Sequence, residues 1–370
     1  MNQLEQREGH YMGNQCRLKR DQARVLSHLR RAQGGFTLIE LLITSAILGI
    51  FAVLVAPSIN MLGALTTANN NQKQLVNNRL VATALLLWAK NNTALGQLPA
   101  PYSGSGYNST IYNTGDTSAS GLALQQFLQQ QGLSLSEVND DNFAAHRVRV
   151  FQKVAGLTES IPIYVQSGPL VTLTYDFGVI YQTACAINSS CNTATIPGDS
   201  AALSSSNYTT WSVSGTDMSP AFVSTLPLQE AMLDLTVQRL NTIRDKTVVY
   251  YNAQRLGAAP NDTTNWFPAP TGSGTANLSG ASAATNQFCY DGWYQLNAAN
   301  VNILPQVGLG QSEFSVTAWG GRIEYCRDYD LTLAGAGVAP HYAAVRINQS
   351  VSTGSAPDSS VAGNNVFISF

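Results

Sequence analysis

Residues 36–56, FTLIELLITSAILGIFAVLVA, constrain the fold of this chain more than any other stretch. They are 21 residues, nearly all apolar, with Glu40 as the one charge. As a helix rising about 1.5 Å per residue the run spans roughly 30 Å, the hydrocarbon thickness of a bilayer. Arg30 and Arg31 stand just before it, and the next basic residue is Lys73. The positive-inside rule then keeps residues 1–35 in the cytoplasm and carries the remainder across the membrane. An ordinary secretory signal would be cut after its apolar stretch, at small residues. Here Pro57-Ser58-Ile59-Asn60 follows the stretch, and the small pair Gly34–Gly35 precedes it.

Charge divides the chain at the same place. Residues 1–34 hold seven Lys/Arg against Glu5, Glu8 and Asp21, which leaves 20 − 7 = 13 basic and 22 − 3 = 19 acidic residues beyond. With 11% charged and 44% hydrophobic residues, the body reads as an exported, β-rich globular protein. Nothing after residue 35 forms the basic stripe of a nucleic-acid-binding protein. Cys16 lies in the basic head, and Cys185, Cys191, Cys289 and Cys326 lie in the body. An even number suits an oxidising compartment. Of the three pairings open to them, Cys185–Cys191 with Cys289–Cys326 is favoured.

Gly35-Phe36-Thr37-Leu38-Ile39-Glu40 resembles the cleavage and methylation motif of type IV prepilins and of type II secretion pseudopilins. The resemblance implies an inner-membrane prepilin peptidase that cuts between Gly35 and Phe36 and N-methylates Phe36. The mature chain would then hold 370 − 35 = 335 residues. Pro57 matches the family's helix-kinking proline. A carboxylate such as Glu40 inside a membrane helix costs a few kcal/mol unless a partner satisfies it. The resemblance implies that this partner is the Phe36 amine of a neighbouring subunit. An intrachain contact one helical turn away is the alternative. The 35-residue leader, or 35 − 11 = 24 residues if Met12 is the start, resembles type IVb members, while Phe36 resembles type IVa. The subclass stays open. The large body points to a minor subunit.

The expected architecture is α+β: a long N-terminal helix, then a β-rich head of antiparallel sheet. Leader 1–35, assembly helix 36–56 and stalk 57–91 are followed by two tandem modules, 93–214 and 226–370. Ile59, Leu62, Leu65, Leu75, Val76, Leu80 and Leu87 keep a helical spacing, which Asn91, Gly96 and Pro99 end. Strands are expected over 147–151, 170–175, 179–181, 208–213, 322–326, 341–347 and 366–370. One helix, Leu228–Arg255, interrupts them, its face carrying Met232, Leu235, Leu240, Ile243, Tyr250 and Tyr251. Pro227 suits its first turn and Gly257 its end. The two modules rest on an internal echo. Both helices run into apolar-Pro-Ala-Pro turns, at 98–101 and 267–270, and Phe177-Gly178 parallels Trp319-Gly320.

Chemistry-bearing groups are sparse beyond the leader. His146 and His341 read as strand-edge residues, and no zinc, phosphate-loop or nucleophile-elbow motif occurs. Asn139-Asp140-Asp141-Asn142 lacks the rest of a calcium loop and reads as a solvated turn. Tyr102, Tyr107, Tyr112 and Trp266 are either ligand-binding aromatics or loop anchors. No enzyme activity, cofactor or metal is expected. The leading function is a minor pilin of a type IV pilus, with adhesion or pilus assembly as the task of its head. Glu40 suits a subunit that stacks below another. A type II secretion pseudopilin is the alternative, and a membrane-anchored extracytoplasmic enzyme a distant third. Expected partners are the peptidase/N-methyltransferase, other pilin subunits, the inner-membrane assembly platform and, before assembly, the bilayer. The precursor is expected in the bacterial inner membrane, the mature protein on the cell surface.

Overall fold

The computed structural model describes residues 38–91, 95–104, 107–111, 117–135, 138, 147–164, 167–186, 202–213, 219–271, 278–279, 287–332 and 339–370. It is an α+β structure with antiparallel sheets and divides into two compact units, before and after Asn70–Asn71. Helix α1, Leu38–Lys90, supplies the first unit and enters the second. It ends where the sequence places its end. Gly96, at φ +76, turns the chain back so that its N–H reaches Ala89 O at 3.1 Å.

In the second unit α1 lies on a sheet of β3 (Arg147–Tyr164), β4 (Ser167–Ala186) and β5 (Ala221–Ser224). Before this sheet come a small hairpin, β1 (Tyr102–Gly104) with β2 (Tyr107–Thr110), and α2, Ala119–Gln130. Val81, Ala84, Leu85 and Ala89 recur at helical spacing, and the alanines let α1 approach the sheet closely. Their core takes in Leu98, Phe151, Ile180 and Val223. Helix α2 was not expected. Ser118 caps it by accepting from Gly121 N at 3.1 Å. Leu124 and Leu128 enter the same core, and Phe127 meets Trp88 edge-on at 5.5 Å.

Residues 170–175 and 179–181 belong to one strand, not two. Gly178 keeps the ladder, paired with Lys153 and Val223, and leaves room for its neighbours, since a Cβ there would meet Phe151 and Val223 at 2.9 Å. Residues 208–213 are not a strand. Asn207 Oδ1 accepts from Ser204 N at 2.8 Å, a local turn that competes with ladder pairing. Segment 202–213 instead lays Leu203 and Trp211 on the other face of β3–β4, beside Val150, Val179 and Tyr181. Burial there pushes the Tyr181 phenol up to about 12.

Helix α3, Leu226–Arg255, follows with Pro227 in its first turn. Its buried line is Gln229, Leu233, Thr236, Leu240, Ile243 and Thr247. Of the expected face, Leu240 and Ile243 are buried, Met232, Tyr250 and Tyr251 half-buried, and Leu235 exposed. Two of the polar groups on this seam find partners, Gln229 at Gly96 O (3.2 Å) and Thr236 at Met232 O (3.0 Å), whereas Thr247 Oγ1 is buried without one. The second sheet is an antiparallel meander: β6 (Leu278–Ser279), β7 (Trp293–Gln295), β8 (Glu324–Cys326), β9 (Ala344–Asn348) and β10 (Asn365–Ser369). Short helices α4 (Ile303–Gln306) and α5 (Gln311–Phe314) separate β7 from β8. Trp319-Gly320 lies in a turn before β8, so it does not share the strand setting of Phe177-Gly178. Ile163, Val171 and Leu173, at the tip of the β3–β4 hairpin, join α3 and this sheet in a second core.

Asp176 stands where these parts meet. It is 1% exposed, opposite a bulge in β3 at which Gly156 takes φ +73. Its carboxylate accepts from Leu98 N (2.9 Å), Lys153 Nζ (3.0 Å) and Gly156 N (3.3 Å). Its backbone N–H donates to Thr225 Oγ1 at 2.9 Å, just before α3. Lys153 Nζ also donates to Leu98 O at 2.7 Å. Removing one partner of such a buried pair costs about 3–5 kcal/mol. Asp176→Ala is therefore expected to lose about that much stability, and Asp176→Asn less, in urea unfolding. An Ala variant within 0.5 kcal/mol of the parent, the usual scatter of plain surface changes, would contradict the clamp.

Candidate assembly site

Helix formation through 38–56 needs no special signal: Leu, Ile and Ala dominate it, and Ser45 returns its hydroxyl to Leu42 O at 2.9 Å. Ile39, Leu42, Ile43, Ile47 and Leu48 are all exposed, at 49–68% of their surface. A row of this size uncovered in one chain marks a surface meant for lipid or for another protein. Glu40 and Pro57 lie within the helix, but their side chains fall outside the described ones. Gly35 and Phe36 lie outside the described residues altogether. Among the described residues no helix is long and apolar enough to cross a membrane. The side chains of 49–64 are not among them, so the expected span 36–56 is described only in part.

The end of α1 is held by residues that the sequence does not advertise. Gln229, fully buried on α3, donates through Nε2 to Leu95 O (3.1 Å) and Gly96 O (3.2 Å), and accepts from Trp319 Nε1 at 2.6 Å. A Cβ on Gly96 would collide with that amide. Arg149 of β3, also fully buried, donates to Asn78 Oδ1 (2.7 Å) and Gln74 Oε1 (2.9 Å) of α1 and to Val138 O (2.8 Å). In the second sheet Arg346 meets Glu324 at 2.6 Å with both side chains at 0% exposure, and stacks 4.5 Å over Trp293. Burial pulls the Arg346 pKa down, and Glu324 opposes that shift. One sequence signal could have flagged Asp176 and Arg346: a lone charge inside an otherwise apolar strand, as in YDFGV and AAVRI.

Cys289 and Cys326 form a disulfide with Cα atoms 5.8 Å apart. Cys185 lies at the end of β4 with its side chain outside the described ones, and Cys191 is outside the described residues. His341 bridges Asp328 Oδ1 (3.2 Å) and Thr263 O (2.9 Å), which ties a loop and keeps it out of β9. His146, Tyr112 and Asn139–Asn142 are outside the described residues. Tyr102 lies in β1 and Tyr107 in β2, while Trp266 Nε1 is buried without a hydrogen-bond partner. No cluster of three or more His, Cys, Asp or Glu able to hold a metal occurs among the described residues.

Residues 30–56 match the family model of the prokaryotic N-terminal methylation motif. That motif is the one carried by type IV pilins and pseudopilins, and it supports membership of that family. The motif implies processing by prepilin peptidase and assembly with other pilin subunits, from a membrane-anchored precursor. Proteins of this family are generally structural. No curated protein and no solved structure matches the chain.

The disulfide yields a prediction. It closes a loop with a sequence separation of 37 and lies wholly inside a cluster with Trp293 and Tyr329. Replacing Cys289 and Cys326 together by Ser is expected to cost about 2–4 kcal/mol in urea unfolding. Free thiols at these positions in the native protein, read by mass after alkylation, would contradict the bond.

Proposed function

We propose that this chain is a minor pilin of a type IV pilus, cut between Gly35 and Phe36, N-methylated on Phe36, and held in the fibre by residues 36–56. The carrying observation is the methylation motif over residues 30–56, joined to an exposed apolar row on α1. Glu40 is the assembly residue. Once Phe36 is freed, its amine is the cation that a carboxylate in an apolar helix needs, and the amine of the next subunit sets the register. Pro57 allows the helix to bend between assembly helix 36–56 and stalk 57–91. The head serves adhesion or pilus assembly at the cell surface. Cys185–Cys191 is the proposed second disulfide, and the inner-membrane assembly platform the proposed partner during extrusion.

We read the head as two pilin-like modules, 93–214 and 226–370. Two features support the reading. Each sheet is a sequential antiparallel meander with a helix on it. Each apolar-Pro-Ala-Pro turn is also held by a basic side chain at the same carbonyl. Lys153 Nζ donates to Leu98 O at 2.7 Å, and Arg327 Nε donates to Phe267 O at 3.1 Å.

Glu40→Ala tests the assembly role. The variant is expected to insert and be processed, because it makes the helix more apolar. Its share in surface filaments sheared from cells should fall about tenfold or more, since each 1.4 kcal/mol of lost contact is a factor of ten. Normal incorporation would remove Glu40 from the mechanism. A wild-type chain found only in the periplasm, never in sheared filaments, would move the protein to the secretion pseudopilus.

A further inference from the structure

A cleft of about 500 Å³ opens between the last turn of α1, the first half of α3 and the turn at 316–320. Its size falls within the range of small-molecule sites. Leu228, Met232 and Leu235 of α3 form one wall, and Leu95 and Trp319 face it across the cleft. Leu235 is 41% exposed, although the same helix buries Leu233 and Leu240. Leu95 sits at φ +46, an uncommon backbone for a leucine, fixed by the Gln229 bond to its carbonyl. The Trp319 N–H is used by Gln229, so what the indole adds to the cleft is apolar.

Two cations share this lining. Arg239 is anchored by Nη1 on Val316 O at 2.9 Å, and its Nε is buried without a hydrogen-bond partner. Lys90 ends α1 at the rim. No Asp or Glu is among the described lining residues, and neither cation forms an ion pair among the described residues. An apolar trough whose described lining carries two cations and no acid fits an apolar chain that carries a single anion. An arginine fork beside a lysine point charge suits a carboxylate.

We propose that this cleft binds an aliphatic carboxylate of medium chain length, its tail along Leu228, Met232 and Leu235 and its head between Lys90 and Arg239. The site does not depend on the filament reading and is present in the precursor as in the mature chain. Its test uses the full chain in nanodiscs, titrated with octanoate and followed by tryptophan fluorescence, with empty nanodiscs subtracted. Octanoate is expected to saturate. Arg239→Gln should weaken it about tenfold, the order expected for losing one charge-assisted contact, and Lys90→Gln should weaken it less. Octanol should bind more weakly, with no response to either substitution. Absence of saturable octanoate binding, equal binding of octanol, or unchanged affinity in both variants would overturn the proposal.

Discussion

A single carboxylate decides how the head is put together. Asp176 lies mid-strand in β4, buried, where an unsatisfied charge would be costly. Its three donors come from the loop after α1, from the interior of β3 and from the β3 bulge. The Lys153 and Gly156 contacts close within the β3–β4 hairpin, while the Leu98 contact forms only once the chain has returned from α1 to the sheet. The same residue's backbone fixes Thr225, the position before α3. One residue therefore ties the loop after α1, through its side chain, to the start of α3, through its backbone. Gln229 repeats the device one turn into α3 and extends it to Trp319 and the second sheet.

The bulge opposite Asp176 also explains how one hairpin serves two cores. Below it, Phe151 and Ile180 pack under α1. Beyond it, Ile163, Val171 and Leu173 pack with α3. An extra residue in one strand re-aims the ladder, and Gly156 supplies the left-handed backbone that such a bulge needs. The second sheet has its own buried polar pin. Glu324 takes Arg346 on one oxygen and Arg322 on the other, and Arg346 in turn stacks over Trp293. A buried ion pair of this kind adds little net stability over an apolar substitute, but a shifted register would leave one charge alone. It selects the pairing of β8 with β9, where Glu324 faces Arg346.

The sequence carried the helical elements at α1 and α3 because their lengths, caps and breakers are local signals. Lys90, Pro227 and Arg255 all fall at or within a residue or two of the expected boundaries. Helix α2 is hard to read in the sequence because its period rests on three residues only, Leu124, Phe127 and Leu128, in a short glutamine-rich run. Residues 208–213 look like a strand by composition, but the Ser204–Asn207 turn uses the polar groups first. The clamp residues were not legible for a different reason. Asp176, Lys153, Gln229 and Trp319 are far apart in sequence, and only the fold brings them together. The Cys289–Cys326 bond is partly legible, since the even count of body cysteines leaves three pairings. The proposed processing and assembly residues run the other way: Gly35, Phe36 and Glu40 lie in a motif that needs no tertiary context.

That motif is the root of the functional account, and its most direct test is the intact mass of the chain recovered from cells that carry a prepilin peptidase. The account requires a polypeptide that begins at Phe36 and bears one added methyl group there. A Gly35→Ala chain should keep the mass of the unprocessed precursor. A wild-type chain that begins after residue 56, or that retains residues 1–35 despite the peptidase, would contradict it.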